Sequence, residues 1–214
     1  MVADPLLPGA VFYTASWCFL HSLLLSDGFA RLVRPLVGDR WRWHRIVYNL
    51  VAAATLLPLL VYLHLISEPP LFKWQGWLSC IRYFLLLTGI LLFISGSRVY
   101  DFQRFTGLSQ LRSGEHSVLL SGEGDTPFQQ YGILGVTRHP WYGGGILLIW
   151  SMRAEYGVSV CIIYTLFTVY LIIGAFLEEK RLAAVFREEY SRYRGEVSMF
   201  FPFKWLMKCL SGKR

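Results

Sequence analysis

Residues 138–145 read Arg-His-Pro-Trp-Tyr-Gly-Gly-Gly and stand at the mouth of an apolar run. Pro140 suits the first position of a helix, where its missing N–H costs nothing, and it biases His139 away from helical geometry. A helix that begins there presents the unpaired N–H groups of its first turn, a site for a carboxylate or phosphate. Arg138 adds a forked donor suited to a carboxylate. Gly143, Gly144 and Gly145 remove side chains, so either a ligand or a neighbouring helix can approach the backbone. Singly these residues are ordinary, since an arginine at a membrane border is commonly an anchor. Gathered in one turn they form a candidate ligand site.

Glu178 and Glu179 form the second cluster, at the end of another apolar run. Adjacent carboxylates have no anchoring use there, and acidic groups beside a membrane span are functional suspects. A sulfonium or ammonium group, or the hydroxyls of a ribose, would suit them. They open a stripe of Glu178, Leu182, Phe186, Tyr190, Tyr193 and Val197, whose spacing places all six on one helical face. Lys180, Arg181, Arg187, Glu188 and Arg192 fall elsewhere. The plain reading of the stripe is an amphipathic helix lying along the membrane surface.

The elements that position these clusters follow from composition. Only 16% of the residues are charged and mean hydropathy is +0.41, whereas soluble domains carry about 25% charge. Runs 8–25, 46–66, 83–97 and 156–177 contain no Lys, Arg, Asp or Glu, and a span needs about 20 residues. Run 83–97 reaches that length when residues from Trp77 are included. A fifth run, Trp141 to Met152, is short. The expectation is an all-α integral membrane protein with about five transmembrane helices and a C-terminal amphipathic interfacial helix. Residues 1–111 would supply three spans. Residues 112–214 would form a core with a two-helix membrane hairpin, turning at 153–155, and the C-terminal helix.

Basic residues orient this arrangement. Five lie in 26–45, four in 98–138 and nine from 178 onward. Five crossings place all three segments on the cytoplasmic side, as the positive-inside rule requires. The net charge of +7 is thus a topology signal, and nucleic-acid binding is a poor account of it; anionic lipid headgroups are the expected partners. The short fourth crossing is expected to begin below the membrane surface, where irregular backbone is tolerated only if it lines a cavity or is buried in protein. The first run has no basic flank and no small-x-small site, so it reads as a span and not a cleaved signal. Cys18, Cys80, Cys161 and Cys209 form no CxxC pair, so neither a disulfide framework nor a metal site is expected.

The two clusters together resemble the isoprenylcysteine carboxyl methyltransferase superfamily of integral membrane enzymes. Its Arg-His-Pro-x-Tyr-x-Gly pattern is matched by Arg138, His139, Pro140, Tyr142 and Gly144. Its Glu-Glu-x-x-Leu-x-x-x-Phe-x-x-x-Tyr-x-x-Tyr-x-x-x-Val pattern is matched by Glu178, Glu179, Leu182, Phe186, Tyr190, Tyr193 and Val197, followed by Pro202. The resemblance covers about residues 130–202. It departs at Ile133 and Leu134, where the family often continues Gly132 with Pro-Tyr, and at Ser198, where a proline is usual.

The resemblance implies S-adenosylmethionine bound between the last two spans and the C-terminal helix. His139, Tyr142, Gly143 and Gly144 would line that pocket, Glu178 and Glu179 would hold polar parts of the cofactor, and Tyr190 would stand beside them. Arg138 would orient a carboxylate, and Arg138 or His139 would hold or generate the acceptor anion. His21 and Asp101–Arg104 are weaker candidates, expected to pair within the bundle and at the interface respectively. The segments "FLHSLLLSDGFARLVR", "RWHRIVYNL" and "YDFQRFTGLSQLR" are similar to NnrU-type proteins and to membrane thiol S-methyltransferases acting on methanethiol. That similarity argues against a prenylated protein and for a small, membrane-permeant nucleophile, so the acceptor is expected to be a small or lipophilic thiol or an isoprenylcysteine-type carboxylate. It also implies a cytoplasmic (inner) membrane location with the site facing the cytoplasm. Two alternatives stay open: a non-catalytic accessory factor, and an NADPH-dependent sterol-type reductase.

Overall fold

The structure, a computed structural model, describes residues 4–113 and 128–212. The Arg104 side chain lies outside what is described, and the expected Asp101–Arg104 pairing with it. Nine α-helices are seen among the described residues: α1 (Leu7–Leu25), α2 (Asp27–Val37), α3 (His44–Leu65), α4 (Leu78–Ser97), α5 (Phe102–Thr106), α6 (Leu108–Ser113), α7 (Pro140–Ser151), α8 (Val158–Glu196) and α9 (Phe203–Leu210). Two-residue strands β1 (Phe72–Lys73) and β2 (Glu155–Tyr156) pair antiparallel. The helical class expected from sequence is the class observed.

These elements form two compact units. The first draws on 4–74, 102–113 and 154–170, the second on 75–101, 128–153 and 171–212. In the first unit α1 and α3 are joined by polar contacts inside apolar helices. Trp17 Nε1 donates to Thr55 Oγ1 at 3.1 Å, and the Tyr48 hydroxyl meets His21 Nε2 at 2.6 Å. His21 therefore has the within-bundle partner that its place in an apolar run called for. Ser26 ends α1 and caps α2, accepting the Phe29 N–H at 3.1 Å. Opposite-charge residues Lys73 and Glu155 tie the strand pair at 2.9 Å. Beside it, Glu68 accepts from the N–H of Asp4 (3.1 Å) and from the N–H and hydroxyl of Ser159 (2.9 and 2.6 Å).

Three helical stretches are long and apolar enough to cross a membrane among the described residues: the one ending at Leu65, α4, and α8. The other two expected crossings are α1, whose 19 residues are diluted by Thr14, Ser16, His21 and Ser22, and α7, with 12. At about 1.5 Å per residue the 39 residues of α8 far exceed a hydrocarbon core of about 30 Å. Its uncharged part, 158–177, is the span, and Glu178 and Glu179 lie just past its end.

In the second unit α7 runs antiparallel against α4. A Cβ on Gly89 would meet Leu148 at 3.0 Å and the Gly144 carbonyl oxygen at 3.1 Å, and one on Gly96 would collide with the Trp141 indole. Small residues here let two backbones meet. This register corrects one expectation. Trp141 sits beside Gly96, one residue from the end of α4, so α7 starts level with that end and not below it. The shortfall of a 12-residue helix lies at its other end, where Met152 to Ala154 lead into β2.

The stripe along 178–197 also differs from its plain reading. Arg187 adopts φ 43° and ψ −112° and breaks α8 into two helical segments. Beyond the break Tyr190, Tyr193 and Val197 are buried against Phe128, Leu182, Ala183 and Phe186. The stripe is core, and the exposed amphipathic helix at the C-terminal end is α9.

Candidate functional site

Residues 137–139 are held extended by the segment that follows α8. Thr137 and Ser198 form a parallel bridge. The N–H groups of Arg138 and His139 donate to the carbonyls of Ser198 (2.9 Å) and Met199 (3.1 Å), and the Thr137 hydroxyl donates to Met199 O at 2.9 Å. His139 has φ −126° and ψ 66°, outside the helical region as a residue before proline should be. α7 then starts at Pro140, and its first closed turn runs from the Gly143 N–H to the His139 carbonyl at 2.9 Å.

This strap and the end of the α8 span converge four side chains. Arg138 Nε donates to Glu179 Oε1 at 2.7 Å, and its Nη2 approaches the same oxygen at 2.5 Å. Its Nη1 donates to the carbonyls of Val197 and Arg194. The carboxylate that Arg138 orients is thus one of the chain's own. His139, 1% exposed, places Nε2 3.3 Å from Glu179 Oε1 and Nδ1 3.8 Å from Glu178 Oε2. Tyr142 hydrogen-bonds Glu178, and its ring lies edge-on to His139 with centroids 5.6 Å apart. Arg194 reaches Glu179 Oε2 at 3.5 Å from a more exposed position.

The adjacent carboxylates are pushed in opposite directions. Burial raises the Glu178 carboxyl above its ordinary value, offset only in part by His139, the Tyr142 hydrogen bond and the Arg181 charge. Burial also acts upward on Glu179, but hydrogen bonds from His139 and Arg138 and the Arg138 charge outweigh it and hold the carboxyl at about 2. His139 thus turns Nε2 to Glu179 Oε1 and Nδ1 toward the Glu178 side. That Nδ1 is buried and has no hydrogen-bond partner among the described residues, and neither has the hydroxyl of Tyr190, which is fully buried. An unmet buried polar atom costs about 1–3 kcal/mol, so two such atoms on one cluster mark a place where a polar ligand fits.

The glycines divide. A Cβ on Gly143 would meet only Phe200, at 3.8 Å, whereas Gly144 is consumed by packing against Phe93, Leu92 and the Gly89 carbonyl. Gly145 faces Leu171, and Gly174 makes room for the Tyr142 ring at 3.0 Å. The structure therefore brings together Arg138, His139, Tyr142, Gly143, Glu178, Glu179 and Tyr190, and turns Gly144 to α4.

Sequence reading missed Tyr100 and Phe200. Burial and then the Glu178 charge raise the Tyr100 phenol, and its ring lies tilted against Trp141 with centroids 4.7 Å apart. Phe200 lies over His139 with centroids 6.1 Å apart. Neither sits in a spaced pattern, so no signal in the chain marks them.

Three curated proteins named methanethiol S-methyltransferase are similar to the chain. That of Pseudomonas deceptionensis is 27% identical over 187 residues, covering 85% of this chain and 67% of its own length. That of Bradyrhizobium diazoefficiens is 31% identical over 120 residues, covering 54% and 39%. That of Crocosphaera subtropica is 37% identical over 76 residues, covering 36% and 28%. The chain thus spans from under a third to two thirds of these relatives' lengths. No family model and no solved structure matches it.

Proposed function

We propose that the chain is a membrane-embedded, S-adenosylmethionine-dependent methyltransferase of the isoprenylcysteine carboxyl methyltransferase type, acting on a small or lipophilic thiol. One observation carries the reading: the Glu178–Glu179 pair meets His139 and Tyr142 in a buried cluster that leaves His139 Nδ1 and the Tyr190 hydroxyl without partners. The similarity to proteins named for thiol methylation supports it.

The residues fit the cofactor's chemistry. His139 Nδ1 accepts from a ribose hydroxyl or from the acceptor thiol, and the Tyr190 hydroxyl donates to a polar atom. Glu178 supplies the negative charge that a sulfonium favours, and Gly143 leaves backbone open. When bound, the cofactor supplies an electrophilic methyl group: the C–S bond to the sulfonium breaks, a C–S bond to the acceptor forms, and S-adenosylhomocysteine leaves as a neutral thioether. The chain's part is to hold both reactants in line in a dry site, where orientation alone supplies much of the rate. A thiol acceptor must give up its proton, because the thiolate is the nucleophile, and His139 Nδ1 is the base within the cluster. Arg138 donates to Glu179 and to two backbone carbonyls. The fork that a carboxylate acceptor would use is thereby filled, which favours a thiol.

Calorimetric titration of the detergent-purified protein with S-adenosylhomocysteine, and in parallel with NADPH, tests this. Saturable binding of the first alone is expected. Binding of NADPH alone would move the chain to the reductases, and binding of neither would leave an accessory protein.

A further inference from the structure

Helix α9 carries Phe203, Leu206, Met207 and Leu210 at helical spacing, with Lys204 and Lys208 on the opposite side. Among the described residues the apolar stripe is uncovered, with Phe203 60% and Leu210 84% exposed. Its height in the fold is fixed by contacts within one unit. Trp141 lies against Gly96, at the end of the membrane-crossing α4. Three residues before Trp141, the chain pairs with Ser198 and Met199, and α9 begins four residues after Met199. The stripe therefore emerges level with the end of a span, where a bilayer presents its headgroup boundary. Amphipathic helices bind that boundary through an apolar face and basic flanks.

The strap between α8 and α9 is tied at both ends. Lys204 donates from Nζ to the carbonyls of Arg194 (2.6 Å) and Gly195 (3.0 Å), and from its backbone N to the Ser198 hydroxyl (3.0 Å). Between these ties, Ser198 and Met199 hold the Arg138 and His139 backbone, Val197 holds the Arg138 guanidinium, and Phe200 covers His139 and Gly143. A displacement of α9 is thus transmitted directly to the residues that position Glu179 and His139.

We propose that α9 docks on the cytoplasm-facing surface of the bilayer, and that this docking holds the 197–202 strap against Thr137–His139. Bilayer attachment of the C-terminal helix then controls how well the site is formed. Lys204 and Phe200 are positioning residues under this proposal, and its binding readout rests on the cofactor reading given above.

The test uses the full chain in nanodiscs of phosphatidylcholine and phosphatidylglycerol, with a fraction of the phosphatidylcholine carrying a diazirine near the carboxyl end of one acyl chain. Photolabelling is expected on α9 as well as on α4 and the 158–177 part of α8. The double variant Leu206→Asp/Leu210→Asp should lose the α9 label, raise amide hydrogen exchange of Arg138 and His139 at least tenfold, and weaken S-adenosylhomocysteine binding about tenfold. The milder Leu206→Ser should move all three in the same direction by a smaller factor. Unlabelled α9 with labelled α4 overturns the docking, and cross-linking of α9 to a second copy assigns the stripe to an interface between copies instead. Loss of the α9 label with unchanged exchange at Arg138 and His139 overturns the coupling. If the double variant shows the exchange change but the wild-type protein never binds S-adenosylhomocysteine, the anchored strap stands and the cofactor reading falls.

Discussion

Glu68 and Glu179 each join distant parts of the chain through a carboxylate, and they do so in opposite ways. Among the described residues Glu68 accepts only from neutral donors, two backbone N–H groups and the Ser159 hydroxyl. Burial pushes its carboxyl up, but the Ser159 and Asp4 hydrogen bonds prevail and leave it low. Glu179 is held by a guanidinium and an imidazole, and the groups around it do not all find partners. The Glu68 clamp, made of neutral donors and with the Tyr62 hydroxyl beside it unmet among the described residues, holds the chain without concentrating charge. A cluster that concentrates charge and leaves Nδ1 and a phenol unmet can hold something else, at a cost in stability that a ligand offsets.

Breaking the charged cluster should have the largest effect. Arg138→Ala leaves Glu179 buried with its main counter-charge gone, and removing one partner of such a pair costs about 3–5 kcal/mol. Thermal unfolding in detergent should show a drop of roughly 10 °C at about 2–4 °C per kcal/mol, with S-adenosylhomocysteine binding lost. A drop of only a degree or two would mean that the pair is solvated and the contrast with Glu68 empty.

Glu68→Ala is the matching cut in the first unit. It should cost about 1–3 kcal/mol, as unsatisfied neutral donors do, while S-adenosylhomocysteine affinity stays within about twofold. A larger loss of affinity would make Glu68 part of the site.

Glu178→Gln sharpens the comparison from within the site. Removing a buried carboxylate with a raised pKa should leave the thermal midpoint unchanged or slightly higher, while affinity for the sulfonium cofactor falls about tenfold, roughly 1.4 kcal/mol. Unchanged affinity would remove Glu178 from the binding residues.

The smallest effects are those of pH, and they have opposite signs for neighbouring residues. The contribution of Glu179 is present above the ordinary carboxyl value of 4.5 and is lost as pH falls toward about 2. The stability gap between wild type and Glu179→Gln should therefore close across that window. Glu178 is raised, so its contribution is present below 4.5 and lost as pH rises through its folded value. The gap to Glu178→Gln should accordingly move in wild type's disfavour with rising pH. Affinity for S-adenosylmethionine relative to the uncharged S-adenosylhomocysteine should rise over the same range, and a flat ratio would show that Glu178 does not face the sulfonium.

Much of this molecule was legible in the order of its residues. The uncharged runs announced the helices, because a span must satisfy its backbone within itself and has no use for charge. Arg138, His139, Tyr142, Glu178 and Glu179 could be picked out together because the motif that holds them is local. Gly144 could not be assigned, since a glycine that admits a ligand and one that admits a helix look alike until the neighbour is known. Phe200 and Tyr100 stayed hidden because only the strap and the end of α4 bring them in.

By itself, then, the sequence determined that the chain is helical and membrane-borne, and that its charged and polar candidates gather at the ends of two apolar runs. Helical periodicity and the cost of burying charge are properties of short stretches, and they act before any long-range contact forms. Only the tertiary structure decided which carboxyl is pushed up and which is pushed down, where Arg138 spends its donors and how α7 registers on α4. Glu178 and Glu179 are neighbours in the chain, but about 100° apart around a helix. One therefore meets the guanidinium of Arg138, while the other meets a phenol and the far side of an imidazole.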